Sequence, residues 1–140
     1  MERRKQNLKR KILLDSYALL AYLKKEDNYR KVMELLNSAP EDCSIIMNEI
    51  NAGESYYIIA RERGIRQADY FIETILPNLP IDIISNSFDQ IIDASRIKVD
   101  HSISYADCFV VATAVREKAV IVTGDPDFKR VKDIVDVEWI

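Results

Sequence analysis

Carboxylate side chains recur close behind short apolar runs in this sequence. A carboxylate at the end of a buried strand has two common uses, because it can cap the next helix or hold a cation. The run AVIVT (119–123) shows the pattern best, since it ends in a hydroxyl and is followed by a glycine and two carboxylates. Asp15, Asp125 and Asp127 are placed in this way. Glu54 falls in the first turn of the helical pattern after the run 43–47, and Asp107 stands at the start of the sixth helical pattern.

Helix capping accounts for each acid when it is considered alone. Asp15 can cap the helix that follows it, and Asp125 precedes a proline, which is a common order at a helix start. The segments NAGE (51–54) and SYAD (104–107) both have the spacing of a capping box. Capping does not require several helix starts to meet in one place, however, and the sequence shows no basic partner beside these acids.

A shared location would give the acids a different use, because like charges repel. Two carboxylates about 4 Å apart repel by about 4 kcal/mol at an effective dielectric constant of about 20. A pocket of several carboxylates must therefore protonate some of them or bind a cation. Oxygen ligands without sulfur or imidazole select a hard ion, so the pattern favours Mg²⁺ or Mn²⁺. Such ions commonly serve phosphoryl chemistry.

The order of the apolar runs predicts that the acids do share a location. The first four runs are continuously apolar, as in strands covered on both faces, and the last alternates like an edge strand. Helical patterns separate them, which is typical of an α/β domain with a mostly parallel sheet of about five strands flanked by helices. The functional edge of such a sheet lies at the carboxyl ends of its strands. Strands are predicted at residues 11–14, 43–47, 81–85, 119–123 and 135–140.

Length and composition favour one globular domain. The chain has 140 residues and is 48% hydrophobic, with a net charge of -3. A protein with this charge is not a general polycation, so contact with phosphate must be local or assisted by a metal. Residues 1–10 are interpreted as a basic, solvated tail and residues 11–140 as the folded domain.

The remaining signals favour a cytoplasmic protein. Cys43 and Cys108 are far apart in the sequence and are predicted to be buried thiols in a reducing compartment. His101 is the single histidine, so a zinc site of histidine and cysteine is not expected. The sequence contains no predicted secretory signal and no run long enough to cross a membrane.

Four segments, in their order along the chain, resemble the PIN domain family. More narrowly, they are similar to the VapC-type toxin ribonucleases of type II toxin–antitoxin pairs. The resemblance extends from Lys11 to the last strand and implies a single PIN-like α/β domain. The segments are LLDSYALLAYL (13–23), INAGESYYIIARERG (50–64), SYADCFVVATA (104–114) and IVTGDPDF (121–128).

The resemblance also implies the site, residue by residue. Asp127 matches a frequent accessory acid, and Thr123 matches a position whose hydroxyl can orient an acid or a water. Glu49 competes with Glu54 for the second acid, and Glu54 is preferred because the pattern after it fits the family's helix. The residues that match the family's four acids, and that would hold the metal, are Asp15, Glu54, Asp107 and Asp125.

The implied activity is hydrolysis of RNA phosphodiester bonds by an endoribonuclease that uses Mg²⁺ or Mn²⁺. The resemblance further implies a homodimer and a small antitoxin whose tail covers the acidic groove.

Two alternatives remain open at this point. One is a PIN-domain nuclease that processes RNA and has no antitoxin. The other, from a different functional class, is a phospho-acceptor signalling module with a flavodoxin-like sheet. That module would need paired acids at the first strand and a lysine at the end of a late strand, whereas a single Asp15 follows the first run.

Overall fold

The computed structural model describes residues 9–140, so the predicted basic tail lies almost entirely outside the described residues. The strands are β1 (Arg10–Leu14), β2 (Cys43–Asn48), β3 (Asp82–Ile84), β4 (Val120–Thr123) and β5 (Val137–Trp139). The helices are α1 (Ser16–Leu23), α2 (Tyr29–Ser38), α3 (Glu49–Arg63), α4 (Ile65–Tyr70), α5 (Phe88–Asp100) and α6 (Tyr105–Glu117). A wider helical turn (Phe71–Ile75) and two 3₁₀ segments (Leu76–Asn78 and Pro126–Val131) complete the elements.

The five strands form one sheet in the order β3-β2-β1-β4-β5, and every neighbouring pair is parallel. The predicted α/β class, the five strands and the position of the last strand at a sheet edge are confirmed. The strand order also separates this fold from the flavodoxin-like order 2-1-3-4-5. The flavodoxin-like sheet of the phospho-acceptor alternative is therefore wrong.

The strand order reverses between β1 and β4. The chain proceeds from β1 outward to β2 and β3, then crosses back to place β4 on the other side of β1. Loops leaving the carboxyl ends of β1 and β4 therefore diverge, and such a switch point is where open α/β sheets form a crevice. Asp15 follows β1, and Asp125 follows β4 by two residues.

The core has two layers because the sheet is covered on both faces. Ile12 and Leu14 of β1 pack with α1, α2, α3 and the wider helical turn on one face, whereas Leu13 between them packs with α5 and α6 on the other. This explains why the strand is continuously apolar. Cys43 and Cys108 are buried on opposite faces as free thiols, as predicted.

Helix α3 begins earlier than the sequence predicts. Asn48 is its N-cap and accepts a hydrogen bond from the Ile50 N–H at 2.9 Å. The capping box predicted at 51–54 is therefore wrong, and Glu54 lies in the second turn of the helix. Among residues 9–140, no helix combines the length and the apolar character that a membrane crossing requires.

Candidate metal centre

Asp15 is a buried carboxylate at the switch point. It caps α1, because its Oδ1 accepts a hydrogen bond from the Ala18 N–H at 2.8 Å, and its Oδ2 accepts one from the Thr123 hydroxyl. Only 2% of Asp15 is exposed. Burial raises its pKa to about 7 against the opposing effect of these two hydrogen bonds, and the charges of Asp107 and Asp125 raise it further.

Thr123 connects Asp15 to the loop after β4. The Thr123 hydroxyl donates to Asp15 and accepts a hydrogen bond from the Asp125 N–H at 3.0 Å. Asp125 then caps the 3₁₀ segment that follows it, because its Oδ1 accepts from the Asp127 N–H at 2.9 Å and Pro126 begins that segment. The predicted cap at Asp125 is confirmed. The capping bond uses Oδ1 of Asp125, so Oδ2 takes no part in it.

Asp107 enters the site from the start of α6. Ser104 is the N-cap of this helix, and its hydroxyl accepts a hydrogen bond from the Asp107 N–H at 3.1 Å. The Asp107 pKa is raised to about 6, first by burial and then by the negative charges of Asp125, Glu54 and Asp127. Three other acids of the predicted set therefore lie close enough to Asp107 to raise its pKa.

Glu54 and Glu49 face different surroundings. Glu54 accepts a hydrogen bond from the Ser16 hydroxyl at 2.6 Å, which joins α3 to the residue directly after Asp15. Glu49 instead accepts hydrogen bonds from the backbone N–H and the side-chain amide of Asn86, at 2.8 and 3.2 Å. The structure therefore places Glu54, and not Glu49, among the clustered acids.

The acids line one open cleft of about 400 Å³, which we call the carboxylate cleft. Within residues 9–140, Asp107, Asp125 and Asp127 each offer an oxygen that lies within 4.8 Å of the others. The residues that line the cleft are Asp15, Ser16, Tyr17, Leu20, Lys24, Glu26, Glu54, Ile58, Ser104, Asp107, Asp125 and Asp127.

One acid of this group has a basic partner that was not predicted. Arg130 Nη1 lies 3.3 Å from Asp127 Oδ1, one turn further along the 3₁₀ segment. Lys24 also lines the cleft, but its Nζ lies 3.3 Å from Glu62 on α3. The ion pair of Asp127 is exposed, so solvent screens it, and it leaves Asp15 and Asp107 uncompensated.

The donor set fits a hard divalent cation. Every candidate ligand is an oxygen, and the trio of Asp107, Asp125 and Asp127 converges closely enough to share one ion. The pKa values of Asp15 and Asp107 are raised first by burial and further by neighbouring carboxylates, so the protein alone disfavours the charged forms of both groups. A bound cation would favour those charged forms.

Some residues around the cleft were not part of the predicted site. Asn51 lies one turn before Glu54, is 1% exposed, and donates from Nδ2 to the Ala106 carbonyl at 3.2 Å, which ties α3 to the start of α6. Ser104 also lines the cleft, and its place at the first position of SYAD was a usable signal. The NAGE pattern indicated Asn51 only as a helix cap, because its contact with Ala106 depends on the packing of two helices.

Similar solved structures share this fold. VapBC2 from Rickettsia felis, bound to a DNA fragment from its promoter, has a chain with 20% identity and a TM-score of 0.70, covering 93% of this chain and 98% of that chain. VapC20 from Mycobacterium tuberculosis, a toxin that cleaves the sarcin-ricin loop, has 20% identity and a TM-score of 0.73, with coverages of 91% and 98%. A toxin–antitoxin complex from Klebsiella pneumoniae gives 16% identity and a TM-score of 0.64, with coverages of 91% and 95%.

At these identities the structural similarity establishes the fold alone. A search of curated proteins found no match. The family assignment comes from the sequence itself, because residues 12–134 match the PIN domain. That match covers all the acids of the carboxylate cleft, β1 from its third residue and the whole of β4. This chain therefore belongs to the PIN domain family.

Proposed function

We propose that this protein is a metal-dependent endoribonuclease that hydrolyses RNA phosphodiester bonds, and that it is the toxin of a toxin–antitoxin pair. The observation that carries the proposal is that Asp15, Glu54, Asp107 and Asp125, from four separate parts of the chain, converge in one cleft at the switch point of the sheet. Membership of a family of nucleases supports the same chemistry.

Asp15, Glu54, Asp107 and Asp125 would hold Mg²⁺ or Mn²⁺, with Asp127 as an accessory ligand. When bound, such an ion polarises the phosphate, lowers the pKa of a coordinated water and stabilises the leaving oxygen. The chain prepares the ligands in advance. Thr123 orients Asp15, and Ser16 orients Glu54, by donating hydrogen bonds to their carboxylates.

Rigid support favours productive placement of these groups. Asp15 and Asp125 each accept a hydrogen bond from a backbone N–H on one carboxylate oxygen. Each is the N-cap of the helical segment that follows it. Asp107 stands on α6, whose residues from 107 to 114 are buried. A catalytic carboxylate held in this way loses little conformational entropy when it binds its ligand.

The toxin assignment is supported by the structural neighbours, which include a complex of VapBC2 with promoter DNA and a toxin–antitoxin complex. By the same comparison, we propose a small antitoxin as partner and a homodimer as the assembly. Exposed apolar side chains on α5 and α6, including Phe88, Val99 and Val115, would suit a protein–protein interface.

The decisive experiment is a cleavage assay with purified protein and single-stranded RNA. We expect cleavage with Mg²⁺ or Mn²⁺, none with EDTA, and a loss of at least about a hundredfold in Asp15→Asn and Asp107→Asn. Cleavage by both variants at the parental rate would refute the assignment.

Toxin function needs a separate test in cells. Expression of the protein alone should stop growth, whereas expression of Asp107→Asn should not. A nuclease that cleaves RNA in vitro but leaves growth unaffected would instead favour the alternative role in RNA processing without an antitoxin.

A further inference from the structure

Tyr17 forms part of the wall of the carboxylate cleft. It lies in the first turn of α1, two residues after Asp15, and 42% of it is exposed. Leu20 and Ile58 line the cleft with it, so this wall is apolar while the acids of the cleft are charged. A large aromatic ring beside a proposed nuclease centre is in a position to contact the nucleic acid whose phosphate enters that centre.

The Tyr17 ring packs against Gly124. A Cβ atom added to Gly124 would overlap Tyr17 Cε1 and would lie 3.0 Å from Cζ and 3.1 Å from Cδ1. The ring therefore occupies the space that a side chain at position 124 would need. The backbone of Gly124 does not adopt a left-handed conformation, so the glycine is required for space and not for its dihedral freedom.

This contact places the ring between the two loops that carry proposed metal ligands. Tyr17 follows Asp15 on the β1 side, and Gly124 immediately precedes Asp125 on the β4 side. The hydrogen bond from Thr123 to Asp15 joins the same two loops. The ring consequently lies against the loop that carries Asp125, next to the proposed centre.

The acidic lining of the cleft favours a non-electrostatic contact with a polyanion. Its lining contains six carboxylates and, among the described lining residues, a single cation, Lys24. One divalent ion would offset only part of that charge, so phosphates on either side of the reacting one would gain little from electrostatics. Stacking of a base on an aromatic ring supplies affinity without depending on charge.

We infer that Tyr17 is a stacking platform for one unpaired base beside the scissile phosphate. This inference rests on the proposed nuclease function and deepens it. Every base has an aromatic face, so the platform accepts any base, but a base stacked inside a duplex cannot reach it.

The first test compares variants at position 17 on short single-stranded RNAs. Tyr17→Phe keeps the ring and should retain kcat/KM within about twofold, whereas Tyr17→Ala should lower kcat/KM by about 5- to 150-fold, the range for stacking of one base. With an RNA that carries an abasic site at the stacked position, the parent and Tyr17→Ala should become equal. An unchanged kcat/KM in Tyr17→Ala, or an equal loss with every abasic substrate, would overturn the inference.

Two further variants control for indirect effects. Tyr57 is a similarly exposed tyrosine that does not line the cleft, so Tyr57→Ala should leave kcat/KM unchanged. Gly124→Ala should displace the ring and reproduce the loss seen in Tyr17→Ala, while circular dichroism shows a folded protein.

A binding measurement separates this inference from the proposed function. Trp139 is the single tryptophan, so the triple variant Tyr17→Trp, Trp139→Phe, Asp107→Asn carries one fluorescent reporter at the platform and has an impaired centre. Single-stranded RNA should quench its fluorescence, and the same RNA in a duplex should quench it much less. Absent or equal quenching overturns the inference even if RNA is cleaved. If the parent cleaves no RNA, the proposed function fails, and the quenching result alone decides whether the platform exists.

Discussion

The Thr123 hydroxyl donates a hydrogen bond to Oδ2 of Asp15 and thereby joins the carboxyl ends of β4 and β1. Both residues are buried, and they are 108 positions apart in the sequence. The same hydroxyl accepts from the Asp125 N–H, so one oxygen atom positions two acids of the carboxylate cleft.

Removal of this hydroxyl should weaken both stability and activity. Thr123→Val is similar in shape but leaves the Asp125 N–H without its acceptor and Asp15 without its donor, which should cost about 1–3 kcal/mol in the free energy of unfolding. Urea denaturation would measure this loss, and RNA cleavage should fall in parallel. Thr123→Ser keeps the hydroxyl and should retain most of both properties; equal behaviour of the two variants would contradict the role of the bond.

The metal-free protein should become less stable as the pH rises. The Asp15 pKa moves from 3.8 to about 7 on folding, so the folded state binds this proton more tightly than the unfolded chain does. The stabilisation is complete below about pH 3.8 and is lost as the pH rises through 7, which amounts to about 4 kcal/mol for Asp15. Asp107 adds a loss of the same sign that ends near pH 6. Urea titrations in EDTA at several pH values would measure this slope.

Asp15→Asn tests the source of that pH dependence. The amide has the shape of the carboxyl group and carries no charge, so the metal-free variant should be more stable than the parent at pH 8 and should show a flatter pH profile. A variant that is less stable than the parent at pH 8 in EDTA would show that the buried charge is not the cause. The same substitution should abolish cleavage, which separates stability from activity.

A divalent ion should reverse the loss of stability at high pH. Mg²⁺ or Mn²⁺ binds the folded state selectively, so it should raise the melting temperature more at pH 8 than at pH 5, where protons compete for the same oxygens. Differential scanning fluorimetry with and without ion would measure the shift. Asp107→Asn should show little shift, and an equal shift in this variant would place the ion elsewhere.

Glu54 and Glu49 can be distinguished by matched substitutions. Glu54→Gln should lower cleavage strongly, because Glu54 lines the cleft and contacts Ser16. Glu49→Gln should leave cleavage within about twofold and instead weaken the contact with Asn86, measured as a small loss of stability. The opposite ranking of the two cleavage rates would assign the second acid to Glu49.

The sequence by itself determined the fold class and the acids near the sheet edge. Continuous apolar runs such as 11–14 and 119–123 require cover on both faces, and helices between them leave few arrangements other than a parallel α/β sheet. Asp15 and Asp125 were assigned to strand ends because each directly follows such a run or its turn. Both features are local, so each can be predicted from a single segment of the sequence.

Only the tertiary structure decided how these residues meet. The start of α3 depends on Asn48, whose place in the network with Asn86 and Thr113 comes from three separate elements. Contacts between distant segments also decide that Glu54, and not Glu49, lines the cleft. Such contacts likewise pack Tyr17 against Gly124 and bury Asp15, which raises its pKa. Burial and convergence are properties of packing between distant segments, and a pattern within one segment cannot specify them.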